Sequence, residues 1–243
     1  LKSYQIAHEI FKQIGYPRGQ AKTLDDIGSV YNNQGKLNEA LNFYKMAIEI
    51  YRQINHPSDE AIVLNHIGMI YVAQGELEDA MESYQSALNI SPENTESLTN
   101  IGDIYFRQRK FEKALEVHQI ALEKYKYLKQ SVGQSNVLIN IGAVYTAQGK
   151  VEDALNSCNV AYEIYKQMGN LPGQAVALNS IGKVYLRQRR LEEAMKAYQE
   201  GLRICKQMGT PIAEAEALSG IGEVYVNQKK KKDEEAKARK EAA

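Results

Sequence analysis

The sequence has no excess of charge of either sign and no long apolar run. Its 30 Lys and Arg residues balance 30 Asp and Glu residues, so no net field attracts nucleic acid or an anionic membrane. No apolar run approaches the roughly 18 residues of a membrane-spanning helix, and no signal peptide is visible. We therefore expect no nucleic acid partner and no membrane partner.

Cysteine is also scarce, with Cys158 and Cys205 as its only two examples. Such usage is typical of proteins from a reducing compartment, and we expect the protein to be cytoplasmic. The first residue is Leu1 rather than Met and lies inside a repeated motif. We therefore expect the sequence to be part of a longer protein, whose targeting signals or effector domains would lie outside it.

Residue sets that carry catalysis or hold metals are missing as well. The four histidines lie at scattered positions without the spacing of metal ligands. No Cys-x-x-Cys pair and no phosphate-binding loop is present. The sequence therefore predicts a protein that is not an enzyme and that has no metal site and no cofactor. The histidines are His8, His56, His66 and His118.

What the sequence does contain is a repeat, Ile-Gly-x-(Val/Ile)-Tyr-x-x-Gln, which occurs six times. The spacings between successive glycines are 40, 34, 40, 40 and 40 residues. A fixed period of this length indicates one supersecondary unit stacked many times. Such an array offers an extended surface for binding. The repeated glycines are Gly28, Gly68, Gly102, Gly142, Gly182 and Gly222.

Each repeat has the pattern of two helices. Leu24, Ile27, Gly28 and Tyr31 follow the spacing i, i+3, i+4 and i+7 of one helical face, which we name helix A. After a turn at Gly35, a second apolar stripe predicts a longer amphipathic helix B. All prolines fall between a helix B and the next helix A, where proline removes no helical hydrogen bond. The prolines are Pro17, Pro57, Pro92, Pro172 and Pro211.

The repeated glycine indicates a close approach of two helices. Glycine inside a helix costs about 1 kcal/mol relative to alanine, so its recurrence suggests that no Cβ fits there. We expect helix B to approach at small residues, while tyrosines fill the wider part of the interface. His118 and Cys158 occupy the place of Tyr44 in their units, and we expect a buried thiol at Cys158 and a buried or half-buried imidazole at His118. The small residues are Ala40, Ala80, Ala114, Ala154 and Ala194.

This pattern resembles the tetratricopeptide repeat over about residues 1–228. Most units have 40 residues instead of the 34 common in that family, and are similar to those of kinesin light chains, Pins-type spindle adaptors and bacterial signalling arrays. The resemblance implies an all-α, right-handed superhelical solenoid of antiparallel helix pairs, whose helices A line a concave groove. In the second unit the matching residues are Leu64, Ile67, Gly68, Tyr71, Ala80, Tyr84, Ala87 and Pro92.

The repeat also predicts where the units begin and end. We assign residues 1–14 to an orphan helix B, and 20–57, 60–93, 94–133, 134–173 and 174–213 to five complete units. Residues 214–228 form the helix A of a final unit. Residues 229–243 lack the buried stripe, because charged residues replace Leu191, Ala194 and Met195 of the preceding unit. We expect a charged cap or a disordered tail there, with a foreign tail or a basic interaction tail as alternatives.

The groove implied by the resemblance has a recurrent carboxamide. Four successive units place an asparagine near it, and an amide can hold a peptide backbone through its donor and its acceptor. The alternative is that these asparagines hydrogen-bond a neighbouring helix. The asparagines are Asn65, Asn100, Asn140 and Asn179, and the other predicted groove residues are Met69, Asp103, Phe106, Arg107, Lys183 and Arg187.

The function predicted by these features is binding to other proteins. We expect a non-enzymatic scaffold that binds an extended peptide or a partner helix in its concave groove. The alternative is a ligand- or peptide-sensing regulatory module of a larger signalling protein. RNA binding is disfavoured because it needs exposed stacking aromatics, whereas the tyrosines here follow the core pattern. Exposed apolar residues near both ends predict weak self-association.

Overall fold

The computed structural model describes residues 1–209 and 211–241, except for the side chains of Ile212, Ala238, Lys240 and Glu241. These described residues form twelve α-helices. The predicted all-α architecture of antiparallel helix pairs is confirmed. The helices are α1 (Lys2–Gln13), α2 (Pro17–Asn33), α3 (Leu37–Gln53), α4 (Pro57–Gln74), α5 (Leu77–Ile90), α6 (Thr95–Arg107), α7 (Phe111–Tyr127), α8 (Ser131–Ala147), α9 (Val151–Gln167), α10 (Leu171–Arg187), α11 (Leu191–Met208) and α12 (Pro211–Glu241).

The chain divides into two compact units, Leu1–Arg109 and Lys110–Ala243. In the first unit, α2 packs on α3 and α4 on α5, while α1 packs on α2. In the second unit, α8 packs on α9 and α10 on α11, and α12 packs on both α10 and α11. Within these pairs, even-numbered helices carry the helix A motif and odd-numbered helices are the helices B.

Proline and glycine set the helix ends. Proline is the first residue of α2, α4 and α12, where its fixed φ suits a helix start. The short helix α5 ends at Ile90, as the shorter second period predicts. In the A–B turns, Gly35 has a φ of 72° and Arg109 a φ of 59°. Arg109 therefore keeps the left-handed turn conformation, although a side chain there costs about 1 kcal/mol.

Three of the repeated glycines lie against tyrosine rings of helix B rather than against the alanines that we expected. A Cβ built on Gly28 would lie 2.6 Å from a ring carbon of Tyr44, which is closer than such atoms approach. The tyrosine ring sixteen positions later occupies the space of that Cβ, and only a backbone without a Cβ leaves room for it. The same relationship holds for Gly68 with Tyr84 at 2.5 Å and for Gly182 with Tyr198 at 2.8 Å.

Where the tyrosine is replaced, the core remains closed. His118 and Cys158 are 0% and 1% exposed, which confirms that both side chains belong to the core. A Cβ on Gly142 would lie 2.6 Å from Sγ of Cys158 and 3.3 Å from the carbonyl oxygen of Ala154. Burial lowers the pKa of His118 to about 4 and raises the pKa of Cys158 to about 12. Both side chains are therefore uncharged near neutral pH.

The C-terminal segment continues as helix beyond the predicted boundary at residue 228. Helix α12 runs from Pro211 to Glu241 without a turn after Gln228, so the expectation of a disordered tail is wrong for residues 229–241. The segment has neither proline nor glycine and is rich in Lys, Glu and Ala, which are strong helix formers. Residues 229–237 are all exposed, in agreement with a charged, solvated segment that adds nothing to the core.

Candidate functional site

The first of the predicted groove asparagines is a buried link between helices. Asn65, on α4, is 1% exposed. Its Oδ1 accepts a hydrogen bond from Nδ2 of Asn100 at 2.9 Å and another from Oγ of Ser97 at 3.2 Å, both on α6. The side-chain oxygen of Asn65 therefore bonds a neighbouring helix. This agrees with the alternative given above, in which the groove asparagines bond a neighbouring helix instead of a peptide.

A second polar link joins α2 to α4 in the same way. Nδ1 of His66 lies 2.8 Å from Oδ1 of Asp25. Both links join the residue three before the glycine of one repeat to the residue two before the glycine of the next. Burial disfavours the charged form of His66, but the hydrogen bond and the negative charge of Asp25 outweigh it and raise the pKa of His66.

Between these two links, α4 exposes apolar side chains. Ile62 and Met69 are 48% and 43% exposed. With His66 they follow the spacing i, i+4 and i+7, which places all three on one face of the helix. Asp25 on α2 and Asn100 on α6 are held beside this face by the links described above. We call Ile62, His66 and Met69 the α4 face.

Helix α6 contributes a charged pair near the α4 face. Asp103 and Arg107 are one helical turn apart. Burial raises the pKa of Asp103 to about 6, although the nearby Arg107 acts in the opposite direction. Arg107 is exposed, and Phe106 is half-buried. Of the predicted groove residues in the first unit, Met69 and Arg107 are thus the most accessible to a partner.

A cavity of about 490 Å³ lies between α1, α2 and the start of α4. Tyr4, Ala7 and Phe11 of α1 form one wall, and Lys22, Asp25 and Asp26 of α2 form another. Burial raises the pKa of Asp26, although the positive charge of Lys22 acts in the opposite direction. The sequence did not predict this cavity, because it depends on how α1 packs against α2.

The second unit places its predicted site residues differently. Asn179, on α10, is 2% exposed, and neither atom of its amide has a hydrogen-bond partner among the described residues. The repeat relationship explains why, because the position two before the glycine in α12 is Gly220, which has no side chain to offer. Asn140 is half-buried. Lys183 and Arg187 are exposed one turn apart on α10, where they present two positive charges.

The described part of the chain offers neither a metal-binding cluster nor a membrane-spanning helix. It has no group of three or more His, Cys, Asp or Glu side chains that could hold a metal ion. None of its helices combines the length and the apolar character needed to cross a membrane. Cys158 and Cys205 are both buried, and neither forms a disulfide.

Paired helices of repeated sequence, packed one after another, define an α-helical repeat protein. The model of the tetratricopeptide repeat family matches residues 19–93, 93–167 and 134–207. The chain therefore belongs to the tetratricopeptide repeat family. No curated protein matches it in sequence.

Several solved structures share the fold at low sequence identity. BtubC (BKLC) from P. vanneervenii is similar with a TM-score of 0.73 and 20% identity, over 86% of this chain and 91% of that chain. A Rap protein complexed with Competence and Sporulation Factor is similar with a TM-score of 0.72 and 16% identity, over 89% and 65%. Aspartyl phosphate phosphatase F from Bacillus subtilis is similar with a TM-score of 0.71 and 18% identity, over 86% and 57%. The chain thus spans less than two thirds of the latter two proteins.

Proposed function

We propose that the chain is a non-enzymatic protein-interaction module that binds an extended peptide or a partner helix across the α4 face. The observation that carries this proposal is the pair of exposed apolar side chains, Ile62 and Met69, on one helical face. An apolar centre with a polar border is the usual composition of a protein interface. The hydrogen bonds of Asp25 with His66 and of Asn65 with Asn100 fix that border before a partner arrives.

The border also indicates what the partner offers. On the helices beside the α4 face, Asp25 is bonded to His66 and Asp103 lies one helical turn from the exposed Arg107. The border therefore carries charges of both signs, and apolar side chains are the main requirement on a ligand. Asn100 is half-buried and contributes its remaining polar atoms to a peptide backbone. We propose that this binding occurs in the cytoplasm, in keeping with two buried cysteines outside any disulfide.

The test starts from selection of peptides on the immobilised chain, followed by calorimetry with a selected peptide. Met69→Ser should weaken binding about tenfold, because it removes about 1 kcal/mol or more of apolar burial. Met46→Ser is the matched control, since Met46 is equally exposed at 49% but lies on the helix B α3. Equal affinities of the two variants for the peptide would exclude the α4 face as the binding surface.

A second candidate is a regulatory module whose output lies in another domain. This candidate is supported by the similar fold of a Rap protein, whose structure was solved in complex with Competence and Sporulation Factor. This candidate predicts that ligand binding changes the conformation of the chain. Hydrogen exchange with and without the selected peptide separates the two. Protection confined to α4 and its neighbours favours the scaffold, whereas changes throughout the helices favour the regulatory module.

A further inference from the structure

His66 lies at the centre of the α4 face and has one ring nitrogen for each of two directions. Its Nδ1 lies 2.8 Å from Oδ1 of Asp25 on α2, and 30% of its side chain is exposed. Because an ionised carboxylate can only accept a hydrogen bond, Nδ1 carries the proton in this contact. The other nitrogen, Nε2, points in a different direction and is the one that remains for a ligand of the α4 face.

The charges near His66 favour its protonated form. Burial acts to lower the pKa of His66, but the hydrogen bond with Asp25 and the negative charges of Asp25, Glu96 and Asp26 outweigh it and raise the pKa. These carboxylates come from α2 and α6, the two helices beside the α4 face. The ring is therefore a cation among carboxylates over part of the physiological pH range.

The remaining helices packed on α4 leave this balance unchanged. The ring of Tyr44 on α3 lies with its centroid 5.4 Å from that of His66, and burial raises the pKa of Tyr44, so its hydroxyl stays neutral. Helix α5 packs on the other side of α4, where the Tyr84 ring meets Gly68. Gly68 is two residues from His66, about 200° around the helix.

The apolar residues on either side of His66 have the spacing of a helical ligand. Ile62 and Met69 are seven residues apart, which is about 10.5 Å along the axis of α4. Residues seven apart on a partner helix share one face at the same distance. Residues three apart in an extended strand also span about 10 Å, but they point to opposite sides. A helix along α4 thus meets both side chains at once, with its position i+3 or i+4 opposite His66.

We propose that the partner of the α4 face is an amphipathic helix that places apolar residues on Ile62 and Met69 and an Asn or Gln side chain against the protonated ring of His66. In this arrangement Nε2–H of His66 donates a hydrogen bond to the amide oxygen of the partner. A carboxylate at the same place is disfavoured, since three carboxylates already lie near the ring. The inference rests on the proposed function of the α4 face and adds the chemistry of the partner.

The direction of the pH dependence follows from Nε2. Above the pKa of His66 the remaining proton stays on Nδ1, towards Asp25, so Nε2 presents a lone pair to the oxygen of the partner. Below that pKa Nε2 presents an N–H. The affinity should therefore increase as the pH falls through the pKa of His66 and should level off below it. A bond that raises this pKa by about one further unit changes the affinity about tenfold.

The test begins with a library of histidine-free peptides of about 16 residues, roughly four helical turns, selected on the immobilised chain at about pH 6, below the raised pKa. Enriched peptides should carry two apolar residues seven positions apart, with Asn or Gln three or four positions after the first. By calorimetry, one such peptide should bind about tenfold more tightly at about pH 6 than at about pH 8. Replacing its Asn or Gln by Leu should remove this difference. Enrichment of apolar residues at every second position overturns the helical partner.

Variants of the chain separate the role of His66 from that of its neighbours. His66→Gln keeps a side-chain N–H but does not titrate, so its affinity for the same peptide should be equal at both pH values. His56→Gln is the matched control, because His56 also lies beside an aspartate, 3.1 Å from Asp59, but outside the α4 face. It should keep the pH dependence of the original chain. A pH dependence that survives in His66→Gln overturns the inference, provided that circular dichroism shows both variants folded.

The proposed function and the role of His66 fail in different ways. A selection that enriches no peptide, or an unchanged affinity of Met69→Ser, removes the α4 face as the binding surface and both proposals with it. Weaker binding by Met69→Ser together with a flat pH profile of the original chain overturns only the role of His66. Titration of His66 by NMR spectroscopy gives a direct check. Its pKa should rise when the peptide is bound, and an unchanged pKa overturns the inference.

Discussion

Asn100 donates a hydrogen bond from its side-chain amide to the side-chain oxygen of Asn65, with the two atoms 2.9 Å apart. The bond joins α6 to α4, and Ser97 adds a second donor to the same oxygen. Two residues that the sequence suggested as ligands for a peptide thus hold neighbouring helices A together. Substitutions at Asn65 and at Asn179 should therefore have different effects on the stability of the chain.

Replacing Asn65 should destabilise the chain. Asn65→Leu removes the acceptor and leaves Asn100 and Ser97 without their bond in a largely buried place. An unsatisfied buried polar group costs about 1–3 kcal/mol, so the free energy of unfolding should fall by that amount. Urea denaturation followed by circular dichroism measures it. Asn42→Ala is the control, because Asn42 is exposed on α3. An unchanged midpoint for Asn65→Leu would show that the link contributes nothing to stability.

The equivalent substitution at Asn179 should increase the stability of the chain. Asn179 is buried with neither amide atom bonded among the described residues, so Asn179→Leu removes a penalty and adds apolar contacts. The free energy of unfolding should rise by about 1 kcal/mol or more. The same urea titration compares it directly with Asn65→Leu. A loss of stability would mean that the Asn179 amide has a partner, such as a bound water.

The glycines Gly182 and Gly222 should also respond in opposite ways. Gly182→Ala places a Cβ 2.8 Å from the buried ring of Tyr198, and such overpacking costs about 1–3 kcal/mol. Gly222→Ala meets no neighbour and gains about 0.5–1 kcal/mol of helix propensity. Thermal melting of both variants at low protein concentration distinguishes the two effects. Similar shifts in the melting temperatures of both variants would contradict the close packing of the Tyr198 ring on Gly182.

His118 predicts a specific dependence of stability on pH. Its pKa is about 4 in the folded chain, below the value of about 6.5 in an unfolded chain. The unfolded state therefore binds the proton first, and the stabilising contribution of His118 is complete above about pH 6.5 and is lost as the pH falls towards about 4.

His118→Tyr should remove this component, because tyrosine occupies the equivalent position in other repeats and does not titrate in that range. Urea unfolding of both chains between about pH 7 and 4 measures the difference in stability, which should change by up to roughly 3 kcal/mol. Comparing two chains cancels the contributions of the carboxylates, including Asp103. Parallel pH profiles would contradict the assignment of His118 as a buried neutral imidazole.

Removing residues 229–243 should leave the core unaffected. The side chains of residues 229–237 are exposed, so the free energy of unfolding should change by less than about 0.5 kcal/mol. Helical circular dichroism should fall, because residues 229–241 form part of α12. A large loss of stability on truncation would instead show that this segment packs as a true helix B.

The sequence by itself determined the fold class and the burial of the motif positions. It could do so because each repeat forms local helices, and because a stripe of period 3.6 determines which face of a helix is buried. The order A, B, A, B then follows from short turns that leave little choice of neighbour. The shorter α5 and the buried His118 and Cys158 were predictable for the same reason.

Contacts between different helices were decided only by the tertiary structure. Periodicity shows that Asn65 and Asn179 lie near a helix crossing, but not that Asn65 has donors on α6 while the amide of Asn179 has no hydrogen-bond partner among the described residues. It shows that a glycine avoids a Cβ, but not that the Tyr44 ring takes its space. The continuation of α12 past Gln228 was also missed, because the loss of the buried stripe removes a packing signal while the helix propensity of Lys, Glu and Ala remains. Such contacts depend on the depth and rotation of one helix against another, which the spacing within a single helix does not specify.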